Sequence, residues 1–181
     1  MSRAKALVKA GGEALVLKTQ KDGGSCLYIA CQEGHLESVK ALINAGRESL
    51  LLKTQMEGLS CLHIACIQGH LETATTLVNA SGGSRAAFLL MTDSVYGRSC
   101  LHAACHFGHV AIVDFLLSLS CAGLVGLRDR AGLTALEHAV ALGHAGAGAI
   151  LAAEAARAGP RRLGSPRPRP RVLTRRRAPT P

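Results

Sequence analysis

The apolar positions of this chain fall in short stretches with helical spacing. Val110, Val113 and Leu117 are separated by three and four residues, with Leu116 beside them, which puts all four on one helix face beginning near Val110. The pair Gly108-His109 stands immediately before that helix, and Gly-His recurs at 34–35, 69–70 and 143–144. The steps of 35, 39 and 35 residues are those of a repeated structural unit. Each pair keeps one offset from a Ser/Thr-x-Leu start: Ser25-Cys26-Leu27, Ser60-Cys61-Leu62, Ser99-Cys100-Leu101 and Thr134-Ala135-Leu136. A partial copy lies upstream, where Ala6-Leu7-Val8-Lys9-Ala10-Gly11 and Leu17-Lys18-Thr19-Gln20 match Ala41-Leu42-Ile43-Asn44-Ala45-Gly46 and Leu52-Lys53-Thr54-Gln55.

Each unit predicts helix, turn, helix, extended loop. The hydroxyls of Ser25, Ser60, Ser99 and Thr134 can accept from the orphan amides of a first helical turn, so these residues are predicted N-caps. Gly34, Gly69, Gly108 and Gly143 are predicted to end the first helix in the left-handed conformation. Second helices are expected from Leu36, Leu71, Val110 and Ala145. The 39-residue step is assigned to four extra residues forming a loop around Ser81-Gly82-Gly83-Ser84. Helices this short cannot bury their apolar faces alone, and stacking on neighbours supplies the missing cover.

The stretch Cys61-Leu62-His63-Ile64-Ala65-Cys66-Ile67-Gln68-Gly69-His70 resembles the ankyrin motif T-P-L-H-x-A…G-H, with Cys in place of Pro, and Cys100 to His109 repeats it. Tyr28 and Glu137 stand where the motif has His, and the units run longer than the ankyrin length of about 33 residues. The resemblance implies an all-α solenoid of stacked helix-turn-helix units with extended hairpin loops. It spans residues 1–157: a partial repeat at 1–20, then repeats at about 21–55, 56–91, 92–126 and 127–157.

It also implies a non-enzymatic scaffold or adaptor that binds another protein through its hairpin tips and first-helix face. The family's variable surface positions fall on Met56, Leu59, Ile67, Gln68, Val95, Tyr96, Arg98, His106, Phe107 and Leu133, among others. Apolar anchors among polar residues suit a protein-binding patch, and Tyr96 and Phe107 are expected at its centre.

Charge adds a second region. Nine of the 21 Lys and Arg lie from Arg157 onward, and the remaining twelve match the 12 Asp and Glu, all at or before Glu154. The repeats are therefore neutral. Residues 158–181 form an Arg/Pro-rich tail whose composition predicts disorder. Arg161, Arg162, Arg167, Arg169, Arg171, Arg175, Arg176 and Arg177 could attract nucleic acid or another acidic surface, which is the alternative reading of the chain's function. No aromatic residue interleaves to stack on bases.

Cys and His density raises metal binding and catalysis. Cys61 and Cys66 are five residues apart, about 140° around a helix, so with His63 and His70 they do not converge on a tetrahedral ion. The set Cys100, His102, Cys105, His106 and His109 has the same difficulty. Neighbours such as Cys105 and His106 point about 100° apart on a helix, with no third group to orient the base. Neither a catalytic residue, a metal nor a cofactor is predicted. In the resemblance His63 and His102 are structural, bonding to loop backbone, and His70 and His109 belong to the turn. Equivalent cysteines of neighbouring units should be about 8–10 Å apart, too far for a disulfide, so reduced buried thiols are expected. Together with the lack of a signal sequence or of about 18 consecutive apolar residues, this predicts a chain of the cytoplasm or nucleus. The chain is expected to be a monomer or part of a longer repeat array.

Overall fold

The computed structural model describes residues 24–121 and 123–157. The partial repeat at 1–20 and the tail at 158–181 lie outside the described residues. Four helix pairs follow one another: α1 (Cys26–Gln32) with α2 (Leu36–Leu51), α3 (Cys61–Gln68) with α4 (Leu71–Ala80), α6 (Cys100–His106) with α7 (Val110–Ser118), and α8 (Ala135–Ala141) with α9 (Ala145–Arg157). The first helices α1, α3, α6 and α8 pack in sequence as one layer, with α2, α4, α7 and α9 as a second layer behind them. This is the stacked all-α architecture that the period predicts.

The predicted punctuation is in place. Ser25, Ser60, Ser99 and Thr134 are extended, and each side chain accepts from the amide three residues on. Gly34, Gly69, Gly108 and Gly143 have φ of 68°, 80°, 71° and 74°. Leu27, Leu62 and Leu101 occupy equivalent positions and are fully buried between layers. Leu136, their counterpart in the last unit, is only partly buried, because among the described residues no further unit covers it.

The extra residues differ from expectation. Residues 82–84 form a 3-10 turn, and Arg85–Leu89 form a short helix, α5, in place of a loop. Phe88 and Leu89 are its reason: both are 1% exposed, and burial of each stabilises the fold by about 2 kcal/mol. The insertion is also split. Hairpins are closed by single bridges at Thr54–Ser60, Thr92–Ser99 and Arg128–Thr134. Thr54 and Arg128 each lie 20 residues beyond the preceding Gly of Gly-His, and Thr92 lies 23 beyond. Three extra residues therefore precede the bridge, and the fourth lengthens the hairpin of the third unit itself, from Thr92 to Ser99.

All seven cysteines are free. The Cys31 thiol neighbours Cys61, and the Cys66 thiol neighbours Cys100, each across a unit boundary. These are non-equivalent positions, so the spacing between equivalent cysteines did not reveal the contacts. The neighbouring thiol and burial push the Cys31 and Cys66 thiols far up. Such thiols act as small apolar side chains, which lets adjacent first helices approach closely.

Candidate binding groove

Between the second and third units lies a pocket of about 180 Å³. Leu59 and Ile67 form one side, and Val95, Tyr96 and Phe107 the other. Asp93, Arg98 and His106 supply polar edges. Tyr96 is 57% exposed and Phe107 49%, so large rings stand in solvent beside an apolar depression. That combination fits a binding surface better than a failed core.

The long hairpin positions Tyr96. Asp93 Oδ1 accepts from the amides of Val95 (2.9 Å) and Tyr96 (2.5 Å), and Oδ2 accepts from the Arg98 amide (2.9 Å). One carboxylate thus holds three amides of the tip in an Asx-type turn. The Arg98 guanidinium lies 4.7 Å from the centre of the Tyr96 ring, a cation–π contact that limits the ring's freedom. Phe107 closes the first helix of the third unit and meets the His106 ring edge-on at 5.0 Å.

Beneath the groove, histidines tie units together. His63 Nδ1 accepts from the Ser60 amide (3.4 Å), so it carries no proton there. Nε2 then holds the proton and donates to the Arg98 carbonyl (3.0 Å) in the next unit. His102 repeats this with the Ser99 amide (3.3 Å) and the Leu133 carbonyl (3.1 Å). These are the backbone bonds that the motif implies. Burial, the largest influence, pulls both histidines' pKa values below the ordinary value. Asp129 organises the last hairpin, where Oδ1 accepts from the Ala131 and Leu133 amides and Oδ2 lies 2.8 Å from His138 Nε2. Burial opposes its charge. The His138 bond and the two amides together outweigh burial and hold the carboxyl below its usual range.

These shifts give a direction for acid sensitivity. The unfolded chain protonates its histidines near pH 6.5, whereas folded His63 and His102 stay neutral to lower pH, so stability falls as pH drops below that value. Asp129 contributes stability that is full above about pH 3.9 and is lost as pH falls through its lower folded value. Thermal melts should therefore show a decline from pH 7 to pH 5 that is smaller in His102→Gln, with a further loss in stronger acid. A His102→Gln profile as steep as that of the native chain would contradict the assignment to His102.

The surface set does not all converge. Leu59, Ile67, Val95, Tyr96, Arg98, His106 and Phe107 line one groove. Met56, Gln68 and Leu133 are exposed but do not line it; Leu133 instead offers its carbonyl to His102. Asp93, His63 and Ala103 also border the groove and were missing from the surface set. Asp93 had a readable signal, since Asp129 stands at the same hairpin position one unit later.

Catalysis by the Cys105-His106 pair is not supported. Burial pushes the Cys105 thiol up to about 12, which denies it thiolate character. Among the described residues, no three His, Cys, Asp or Glu side chains gather to hold a metal ion, and no helix is long and apolar enough to cross a membrane.

Comparison with known families agrees with the geometry. A model of ankyrin repeats in three copies matches residues 2–88, and a second ankyrin-repeat model matches residues 62–117. The chain belongs to the ankyrin repeat family, whose repeats are in general protein–protein interaction modules and typically non-enzymatic. The fourth helix pair lies beyond both matches. No curated protein matches the chain.

Proposed function

We propose that the chain is a scaffold that grips a partner protein at the groove between its second and third units. Tyr96 and Phe107 are the anchors, Leu59, Ile67 and Val95 the apolar floor, and Arg98 the polar contact. The observation that carries this reading is the coincidence of exposed rings with an apolar pocket of about 180 Å³. Large aromatic side chains beside a depression are the usual form of an interface hot spot.

The test is affinity capture followed by titration of the captured partner against Tyr96→Ala/Phe107→Ala. The variant should keep its helical spectrum and melting temperature, because both rings are exposed. Its affinity should fall by about thirtyfold or more. Unchanged affinity in a folded double variant would remove the groove from consideration. Binding that collapses with salt and needs residues 158–181 would assign recognition to the Arg tail.

A further inference from the structure

The groove between the second and third units is short of hydrogen-bond acceptors. Among the described residues the Arg98 side chain makes no hydrogen bond, and its Nε is closed to water without a partner. Asp129 Oδ2 stands 4.0 Å from that Nε, beyond hydrogen-bond reach, and already lies 2.8 Å from His138 Nε2. The Tyr96 ring attracts the cation at 4.7 Å but supplies no lone pair to its N–H groups. His106 Nδ1, on the same lining, is also enclosed and without a partner.

The acidic residues of the lining do not answer this shortage. Asp93 gives both oxygens to three amides of the hairpin tip. Glu57 is exposed, and among the described residues it forms no ion pair. A carboxylate in open water gains little from a counter-ion. The Arg98 side chain is only 27% exposed, and a charge partly withdrawn from water beside apolar walls gains more. Its guanidinium offers paired N–H groups whose geometry matches the two oxygens of a carboxylate.

We propose that the groove selects a protein segment in which a Glu or Asp side chain is flanked by apolar residues. Arg98 donates through Nε and one terminal nitrogen to the two carboxylate oxygens, so the Nε gains the acceptor it lacks. The apolar neighbours of the acidic residue fill the depression between Leu59, Ile67, Tyr96 and Phe107. An amide in place of the acid would bring no charge and would turn a donor toward the guanidinium. This assignment rests on the groove being the binding surface, and it adds the chemistry of what is bound.

The test is selection of a displayed library of random peptides on the full chain. Counter-selection on Tyr96→Ala/Phe107→Ala, which retains residues 158–181, removes peptides held by the Arg tail. The surviving peptides should carry Glu or Asp beside apolar residues. Synthesised with an amidated C-terminus and titrated calorimetrically, they should lose about tenfold or more in affinity when that acid becomes Gln or Asn. Arg98→Gln should weaken the acidic peptide by a similar factor and leave its amide counterpart almost unchanged. Equal losses for both peptides would mean that Arg98 acts only through the Tyr96 ring, and would overturn the proposal. So would survivors that bind equally as acid and amide, although the groove itself would stand. Survivors that need a free C-terminal carboxylate would likewise overturn it, since the acid recognised would then be a chain end. If no peptide survives counter-selection, this proposal and the groove reading fail together.

Discussion

Gly69→Ala lowers stability by about 2.5 kcal/mol, whereas Gly143→Ala lowers it by about 1 kcal/mol. Both residues are left-handed, at φ of 80° and 74°, so both variants bear the cost of placing a Cβ there. Of the two, only Gly69 has a histidine ring packed over it among the described residues. Its new methyl would stand 2.7 Å from the His109 ring, which must leave and give up its bond to the Ile67 carbonyl. An acceptor left unpaired in a packed junction adds more than the backbone strain. For a folded body of this size the Gly69 variant should melt about 8 °C lower. Urea titration at low protein concentration measures the difference. Equal losses in the two variants would mean that the packed histidine contributes nothing beyond glycine's conformational freedom.

Asp93→Ala is expected to have the second large effect, and it reaches function. Removing the carboxylate releases the Val95, Tyr96 and Arg98 amides together. The tip is partly open to water, so the loss is about 2 kcal/mol and not the full cost of three buried donors. Freed of this clamp, the hairpin no longer holds Tyr96 over the groove. Partner affinity should drop although Asp93 is itself 6% exposed and offers a partner little surface. Asp93→Asn should fall between the two, because its amide group would face the Arg98 N–H with a donor. Comparing unfolding midpoints with partner titrations across the three forms checks both parts. A destabilised Asp93→Ala that binds its partner normally would show that tip order is unimportant for recognition.

The repeats were legible because their signals are local and recur. A cap hydroxyl, a left-handed glycine and an apolar face each require particular residue types within one unit. Contacts between units were harder to see. The Cys31–Cys61 and Cys66–Cys100 pairs join different positions of adjacent units, which a comparison of like with like passes over. The helix at Arg85–Leu89 was hidden by Gly82-Gly83, whose composition signals a loop, while its justification, the burial of Phe88 and Leu89, is tertiary. The groove was half legible. Its apolar members came from the family's surface positions, but Met56 and Gln68 share that pattern and fall outside it. Position along a motif gives the side of the solenoid, and only the three-dimensional path of each hairpin decides which exposed residues face one another.

The one-residue extension of the third unit's hairpin has a consequence for how such a chain can change. The Thr92–Ser99 bridge closes over it, and Ser99 again lies nine residues before Gly108, as Ser60 does before Gly69. A length change in the tip is thus absorbed within its own unit and is not passed to the neighbours. Tip length and tip residues can vary while the histidine junctions stay in register, so a new binding preference can arise in one unit without renegotiating the rest of the solenoid.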